Sequence, residues 1–338
     1  MANKPTIPYP GRYKAAITGT GSFLPEKTLT NEDLTKIVDT NDEWIVSRTG
    51  IKVRHVASEG ETTATIAAEA AKKALKEANL TPEELDIIMV ATITPEMVFP
   101  STACFVQDII GAKNAWAYDL CAACSGFVYS ISIAQHFIIS GRYKNILVVG
   151  AETLTKITDY EDRGSCILFG DGAGAVIVQR SEAESLGIMY SSCTSDGSGW
   201  TTLNCQAYGS RNPVGKPLDD PKKIYMVIKG KETYHLAVRR IVELIDECMT
   251  QCNLTVDDVK MFIPHQMNAR IIESVGKRLE LPPEKVFINI HKYGNTSAAT
   301  IPIAIDECIK EGKVGPGDIV LLVAFGGGLT WGANVIQF

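Results

Sequence analysis

The amino-acid sequence predicts an α/β protein built from two similar halves, and two patterns indicate this. Short, almost continuously apolar runs alternate with longer amphipathic stretches, as expected when strands are covered by helices on both faces. In addition, a segment beginning Asn79-Leu-Thr-Pro-Glu-Glu is echoed by one beginning Asn253-Leu-Thr-Val-Asp-Asp. A repeat of this kind indicates an internal duplication.

Seven apolar runs have the length and composition of buried strands. They span residues 87–91, 116–120, 146–150, 173–178, 261–264, 286–290 and 319–324. Helical spacing of apolar residues predicts helices over 62–78 and 232–251. Each helix precedes one copy of the repeated segment, and each copy runs into a strand, so the halves share an order of elements.

The halves are predicted to cover residues 1–182 and 183–338 and to pack as one body, because no low-complexity linker divides them. Corresponding turns of a duplicated fold face each other across a pseudo-twofold axis. Cys124, His265 and Asn295 are therefore expected to converge, although they are distant in sequence. Chance similarity remains the alternative, since Asn-Leu-Thr before acidic residues is also an ordinary helix start.

Charge and hydropathy limit the classes of partner. The formal charge of -6 and the pI near 5.5 argue against a nonspecific nucleic-acid surface. No apolar run approaches the roughly 20 residues that span a bilayer, and residues 1–12 lack the apolar core of a signal peptide. We therefore expect a cytoplasmic protein that binds neither nucleic acid nor membrane, with its nine cysteines reduced.

Cys124 has the position of a nucleophile. It follows a predicted buried strand and opens a helix, where unpaired N–H groups and the helix dipole are expected to favour the thiolate. A small buried cysteine that fills the turn is the alternative. Cys121 forms a Cys-x-x-Cys spacing with Cys124, which leaves open a redox pair or part of a metal site with Cys248, Cys252 and His235.

His265 and Asn295 are candidate hydrogen-bond donors. His265 emerges at the end of an apolar strand, where functional groups of α/β sheets commonly lie, and Asn295 lies in Gly-Asn-Thr-Ser. A neutral imidazole and an amide can together polarise a carbonyl oxygen. A satisfied core histidine and a turn-forming asparagine are the alternatives.

Two glycine-rich segments are interpreted differently. The segment from Phe169 to Ala175 lacks the lysine and spacing of a phosphate-binding loop and is predicted to be a tight hairpin turn. Phe325-Gly-Gly-Gly-Leu-Thr-Trp-Gly follows an apolar strand, and its main-chain N–H groups could form an oxyanion hole with the Cys124 amide. A closely packed hairpin is the alternative.

Four motifs in order resemble the β-ketoacyl-acyl-carrier-protein synthase III family. They are Ala122-Ala-Cys-Ser-Gly-Phe, Pro264-His-Gln-Met-Asn-Ala-Arg, Gly294-Asn-Thr-Ser-Ala-Ala and Phe325-Gly-Gly-Gly-Leu-Thr-Trp-Gly. The segments starting at Asp42 and Arg163 are similar to further family signatures, so the resemblance covers nearly the whole chain. It implies a thiolase-like, duplicated, five-layer αβαβα fold and a homodimer.

The resemblance implies an initiating condensing enzyme of fatty acid biosynthesis without a metal or redox cofactor. Cys124 would take an acyl group from acyl-CoA, and His265 and Asn295 would stabilise the enolate formed when malonyl-acyl carrier protein loses carbon dioxide. Gly327 and the Cys124 amide would bind the oxyanion. A condensing enzyme of a specialised lipid or polyketide pathway and a catalytically silent partner subunit are the alternatives.

Substrate and carrier contacts follow from the same resemblance. Trp44 and Arg163 would sandwich the adenine of CoA, with Arg48 near its phosphates. Phe99 matches a residue that a partner subunit inserts into the acyl pocket. The following residues are predicted to bind the acyl carrier protein: Gln266, Met267, Asn268, Ala269, Arg270, Lys277 and Arg278. Lys231 and His235 depart from the family pattern.

Overall fold

The computed structural model describes residues 13–181, 187–207 and 209–338, except for the side chains of Lys231 and Glu232. Its strands are β1 (Lys14–Phe23), β2 (Thr28–Thr30), β3 (Val53–His55), β4 (Ile87–Ala91), β5 (Trp116–Leu120), β6 (Asn145–Thr153), β7 (Asp171–Ser181), β8 (Gly187–Ser195), β9 (Leu203–Cys205), β10 (Met226–Ile228), β11 (Val259–Pro264), β12 (Ile319–Gly326) and β13 (Thr330–Gln337).

Its α-helices are α1 (Asn31–Thr35), α2 (Asp42–Thr49), α3 (Thr63–Glu77), α4 (Thr102–Ile110), α5 (Gly126–Ile139), α6 (Gly230–Gln251), α7 (Ala269–Arg278), α8 (Ile290–Tyr293) and α9 (Thr300–Lys310). No helix among the described residues is long and apolar enough to cross a membrane. Residues 1–12, where no signal peptide is predicted, and the predicted boundary between 182 and 183 lie outside the described residues.

Two sheets and three pairs of helices form five layers. One sheet has the strand order β1-β7-β6-β4-β5 and the other the order β11-β12-β13-β8. Helices α3 and α4 cover the outer face of the first sheet, and α6 and α7 cover the outer face of the second. Helices α5 and α9 lie between the sheets, where apolar residues of both helices and both sheets form one cluster. The central helices thus begin inside the molecule.

The repeated segment has the same backbone conformation in both halves. Asn79 and Asn253 each follow a helix and each adopt φ 53°, in the left-handed region that commonly ends helices. The next N–H in each copy closes the last helical turn, from Leu80 to the Leu75 oxygen and from Leu254 to the Met249 oxygen. Sequence and geometry therefore repeat together.

Six of the seven predicted strands are present. The prediction that all of these strands are buried is wrong for β5, which is partly exposed along its whole length at the edge of the sheet. The predicted strand at 286–290 is wrong. Only Val286 bridges β11, through Phe262, and a short helix begins at Ile290. The Gln266 side chain binds the intervening backbone: its Oε1 accepts hydrogen bonds from the N–H groups of Asn289 and Ile290. This side chain satisfies main-chain groups that a strand neighbour would otherwise bind.

The predicted hairpin turn between Phe169 and Ala175 is also wrong, because β7 already begins at Asp171 and includes the residues up to Ala175. Their glycines instead permit close packing. A Cβ on Gly170 would lie 2.6 Å from the Tyr293 oxygen, and one on Gly174 would lie 2.6 Å from the Ile303 nitrogen. The small residues allow the first sheet to contact the α8 and α9 region, which carries Asn295.

Candidate active site

A cavity of about 530 Å³ lies where the two central helices begin. Cys124, His265 and Asn295 all line it, together with the turn Gly326–Gly328 and apolar side chains. The structure therefore brings the three predicted polar residues to one cavity, as the pseudo-twofold argument requires. The neighbouring turns are in contact: a Cβ on Gly126 would lie 3.8 Å from the Ala298 Cβ.

Cys124 lies in a tight helical turn, Ala123–Ser125, that leads into α5. The preceding residue, Ala123, has φ 47°, so the chain bends sharply and projects the thiol into the cavity wall. Burial raises the pKa of Cys124 to about 12, although the nearby Ser297 hydroxyl lowers it. The expectation that this thiol ionises readily is therefore wrong, because desolvation outweighs the helix N-terminus.

His265 follows β11 and is 1% exposed. Burial lowers its pKa to about 3, so the imidazole is neutral at physiological pH. Its Nδ1 lies 2.6 Å from the Thr300 hydroxyl oxygen, whereas its Nε2 has no hydrogen-bond partner among the described residues. A buried, unpaired ring nitrogen at a cavity is ready to bind a substrate oxygen.

The Thr300 hydroxyl is the hydrogen-bond partner of His265 Nδ1, and its direction of donation sets which ring nitrogen carries the proton. Its one proton has two acceptors within reach, His265 Nδ1 and the Ser297 carbonyl oxygen. That carbonyl already accepts the Thr300 main-chain N–H. A carbonyl oxygen can accept two hydrogen bonds, so the hydroxyl can donate either to Ser297 or to His265 Nδ1. In the second arrangement the ring proton is on Nε2, and Nε2 is a donor to the cavity.

Asn295 is oriented by its own turn. Its Oδ1 accepts a hydrogen bond from the Ser297 N–H at 2.8 Å. The side-chain oxygen is thus occupied, and the Nδ2 group is left as the donor. Asn295 is also held to the segment that leads into β7, since its N–H donates to the Leu168 oxygen. An oriented amide and a neutral imidazole together supply two uncharged donors.

The glycine turn between β12 and β13 lies against the nucleophile. A Cβ on Gly326 would lie 2.7 Å from the Cys124 nitrogen, whereas one on Gly327 would meet only Leu203, at 3.2 Å or more. Gly326 is thus the residue whose missing side chain admits the Cys124 backbone. Gly327 lines the cavity, and its role as an oxyanion donor stays a prediction.

The predicted adenine site is a surface cluster outside the cavity lining. Arg163 and Arg48 both stack on the Trp44 ring, with guanidinium carbons 4.2 and 4.7 Å from its centroid. Trp44 is half-buried against an apolar cluster that includes Ile45, so it is also a structural anchor. Arg163 lies 3.7 Å from Asp39. The grouping that the resemblance implies is present, with Arg163 itself on the Trp44 ring.

The residues predicted to bind a carrier protein divide into two groups. Arg270, Lys277 and Arg278 are exposed on α7 and form no ion pair with another described residue. Asn268 caps α7 through the Arg270 N–H. Gln266 is 1% exposed and bonds only main-chain groups, so the prediction that it binds the carrier is wrong.

Met267 and Ala269 lie between these groups and are partly buried. Met267 lines the cavity, and Ala269 packs on Gly50, whose Cβ would lie 2.6 Å from that of Ala269. Phe99, in contrast, is 81% exposed and does not line the cavity of its own chain.

The remaining cysteines do not form a metal cluster. Cys248 and Cys252 are buried in the apolar layer beneath α6, whereas Cys121 is exposed beside the cavity. No group of three or more histidine, cysteine or acidic residues in the described part of the chain could hold a metal ion.

Sequence reasoning missed two hydroxyl residues of the site, Ser297 and Thr300. Both follow Asn295 within five residues, at the start of a central helix, and both are buried. Hydroxyl groups so close to a candidate catalytic amide in the sequence were the available signal. Their importance depends on how tightly the turn closes, which the sequence does not specify.

Comparisons with known proteins agree with this geometry. The family models "3-oxoacyl-[acyl-carrier-protein (ACP)] synthase III" and its C-terminal counterpart match residues 118–197 and 249–338. A β-ketoacyl-[acyl-carrier-protein] synthase III from Caldanaerobacter subterraneus is 51% identical over 96% of this chain and 98% of its own length.

Solved structures give the same result. The crystal structure of 3-oxoacyl-[acyl-carrier-protein] synthase III from Aquifex aeolicus matches with TM-score 0.89 and 51% identity, covering 96% of this chain and 100% of that one. The priming β-ketosynthase of the R1128 polyketide pathway matches with TM-score 0.89 and 33% identity, over 98% of both chains. The chain has the thiolase-like fold and belongs to the β-ketoacyl-[acyl-carrier-protein] synthase III family.

Proposed function

We propose that the protein starts fatty acid chains by condensing a short acyl-CoA with malonyl-acyl carrier protein, releasing CoA and carbon dioxide. The family assignment makes it a condensing acyltransferase. One observation carries the assignment of residues: Cys124, the Nε2 of His265 and Asn295 share a mostly apolar cavity, and none of its lining residues in the described part of the chain has a charged side chain. Such a site suits neutral intermediates and small developing anions.

In the first half-reaction, the Cys124 sulfur attacks the thioester carbonyl carbon of acyl-CoA, and CoA leaves. Because the pKa of the thiol is about 12 before substrate binds, its proton has to leave as the new bond forms. The oxyanion that develops is proposed to lie at the Gly327 and Cys124 amides, next to the turn that Gly326 brings into contact with Cys124.

In the second half-reaction, malonyl-acyl carrier protein loses carbon dioxide to give an enolate, which attacks the acyl group on Cys124. His265 Nε2 and Asn295 Nδ2 are proposed to donate to the enolate oxygen. The neutrality of both donors matters, because a cationic imidazole would be costly in this buried site. The pKa of His265, near 3, keeps the imidazole uncharged.

A short primer is proposed on the basis of cavity size. The cavity of about 530 Å³ also has to hold the pantetheine arm that delivers each substrate. Apolar side chains such as Leu154, Ile157 and Met226 line it and suit an alkyl group. The Trp44, Arg48 and Arg163 cluster is proposed as the nucleotide end of the CoA site, where adenine would stack between Trp44 and Arg163.

A homodimer is proposed because one of the two edge strands of the first sheet has no buried residue and no outer strand partner among the described residues. This edge is β5, whose Trp116 is 40% exposed. The apolar loop with Val98 and Phe99, both 81% exposed, adjoins this edge, since the next helix begins with N–H groups that bind Asp119 of β5. Exposed edges and apolar groups of this kind are usually covered. In the dimer Phe99 would enter the partner's acyl pocket.

The acyl carrier protein is proposed to dock on α7. Arg270, Lys277 and Arg278 give this helix three exposed positive charges beside the cavity, whose wall includes Asn268 at the start of the same helix. An acidic carrier would be attracted there despite the negative net charge of the enzyme.

The function is tested by a turnover assay on the whole chain with a series of acyl-CoA primers and malonyl-acyl carrier protein, with mass detection of the 3-oxoacyl carrier. Product from short straight primers with the wild type, and none with Cys124→Ala, supports the proposal. Product only from long or aromatic primers would instead favour a specialised pathway, and none from any primer would favour a silent subunit.

A further inference from the structure

A buried carboxyl group lies behind the nucleophile and has no role in the chemistry described so far. Glu152, near the end of β6, has none of its surface exposed. Its carboxyl accepts hydrogen bonds from the N–H groups of Ile93 and Thr94 and from the hydroxyls of Thr92 and Thr94. The donors that bind this carboxyl and lower its pKa are all uncharged. Burial without a countercharge raises that pKa to about 7.

Glu152 also influences the cysteines of the nucleophile turn. The negative charge of Glu152 raises the pKa of both Cys124 and Cys121, the two cysteines of this turn. Two anions in one buried site oppose each other. A Cys124 thiolate and an ionised Glu152 are therefore unfavourable together, whereas a proton that moves from one to the other leaves a single charge.

The Ser297 hydroxyl lies between these two groups. Its turn, Ser297–Ala299, packs against both the nucleophile turn and β6, the strand of Glu152, and the hydroxyl lowers the pKa of Cys124 and of Glu152. Nevertheless, its Oγ completes no ordinary hydrogen bond with any described residue, although it is buried and Ser297 lines the cavity. Ser297 is held here with φ 49°, in the left-handed region, and its N–H binds Asn295. The backbone is thus fixed while the hydroxyl is free to turn.

We propose that Glu152 receives the proton of Cys124 through the Ser297 hydroxyl during acylation and returns it during condensation. In the first half-reaction the Cys124 S–H bond breaks and the proton passes to Ser297 Oγ, whose own proton passes to the Glu152 carboxylate. The sulfur forms the thioester and CoA leaves as a thiolate, which takes a proton from solvent. The acyl-enzyme then contains a neutral Glu152 and no buried anion.

The second half-reaction reverses the transfer. The enolate attacks the acyl carbon, the bond to Cys124 sulfur breaks, and the departing thiolate takes a proton from Ser297, which regains one from Glu152. The condensation as a whole consumes one proton, which is the one drawn from solvent when CoA left. Glu152 thus stores the proton and exchanges it with Cys124 only by way of the Ser297 hydroxyl. It does not touch substrate.

A purely structural Glu152 would give a different result. If Glu152 only ties the end of β6 to residues 92–94, the Cys124 proton goes to the departing CoA, and acylation takes up no proton from solvent. If it stores the proton, each acylation takes a proton from solvent. At about pH 7.5 a carboxyl pKa of about 7 predicts roughly three-quarters of a proton per acyl group, and less at lower pH.

The test is stopped-flow mixing of the whole chain with a short acyl-CoA in weak buffer with a pH indicator, and intact-mass measurement of acylation in the same samples. Cys124→Ala supplies the blank. Glu152→Gln and Ser297→Ala should lose the proton uptake and acylate at least tenfold more slowly. Asp171→Asn is the matched control, since Asp171 is another fully buried carboxyl that binds main-chain N–H groups but does not line the cavity.

The inference rests on the proposed acylation of Cys124, and the two can fail separately. A wild type that acylates without proton uptake overturns the relay but leaves the function intact. Uptake that persists in either Glu152→Gln or Ser297→Ala also overturns it, as does its loss in Asp171→Asn. If Glu152→Gln does not fold, Ser297→Ala decides alone. A wild type that never acylates removes the proposed function, and the relay with it.

Discussion

Gly326→Ala is predicted to displace the turn that carries Cys124, without replacing any group that reacts. The new Cβ would lie 2.7 Å from the Cys124 nitrogen and 3.0 Å from its Cβ. These are main-chain and near-main-chain atoms that no side-chain rotation can move, so the nucleophile turn has to shift. Overpacking of this kind costs about 1–3 kcal/mol of stability. A displacement of about 1 Å at a reacting atom can lower a rate roughly 100-fold.

The neighbouring glycine provides the control. A Cβ on Gly327 would meet Leu203 side-chain and oxygen atoms at 3.2 Å or more, and Leu203 lies in a short strand at the cavity wall. Gly327→Ala is therefore expected to cost less than about 1 kcal/mol. Urea unfolding measures the stabilities, and the time course of acyl adduct formation gives the rates. Because Gly327 is itself proposed as an oxyanion donor, only the stabilities of the two variants are compared. Equal stability of the two variants, or a Gly326→Ala acylation rate equal to that of the wild type, would refute the contact between Gly326 and Cys124.

Three further predictions concern His265, the pH dependence of stability and the carrier site. Thr300→Val removes the hydrogen-bond partner of His265 Nδ1. The condensation rate should fall roughly 10- to 100-fold with little change in the acylation rate, and Thr300→Ser should restore the condensation rate. Equal losses in both steps would contradict this role of Thr300. His265 has a folded pKa near 3, below its unfolded value. The contribution of the neutral His265 to the free energy of unfolding should thus be fully present above about pH 6.5. It should be lost by up to about 1.4 kcal/mol per pH unit as pH falls toward 3, because only the unfolded state then binds the proton. His265→Gln should flatten that dependence in urea unfolding, and an unchanged slope would contradict it. Arg270→Glu should raise the KM for malonyl-acyl carrier protein about tenfold without slowing acylation by acyl-CoA. Lys76→Glu, on the opposite outer layer, should leave this KM unchanged. Equal effects of the two variants on the KM would exclude the α7 site.

The elements predicted best from sequence are those whose signal is local. Strands such as β4 and β5 are apolar or nearly apolar runs, and their bounds at Ile87–Ala91 and Trp116–Leu120 match the prediction. The segment at 286–290 has the same composition but no strand, because the Gln266 side chain binds its backbone from another part of the chain. A long-range hydrogen bond of this kind leaves no mark in the local pattern.

The same limit applies to the site. The duplication correctly predicts that Cys124, His265 and Asn295 line one cavity. It does not give the depth of burial, and burial reverses the expected shift in the pKa of Cys124. It also does not reveal that Ser297 lies between Cys124 and Glu152, since Glu152 comes from the end of a strand in the other half. Electrostatics depends on distances and solvent exclusion that only the packed chain defines.

The central claim, that Cys124 carries the acyl group between two half-reactions, is tested most directly by peptide mapping of the acylated protein. The wild type is incubated with a short acyl-CoA, digested and sequenced by mass spectrometry, before and after malonyl-acyl carrier protein is added. The account predicts one acyl group, on Cys124 and not on Cys121, which disappears as the 3-oxoacyl carrier forms. An acyl group on another residue, or one on Cys124 that the malonyl carrier does not discharge, would contradict it.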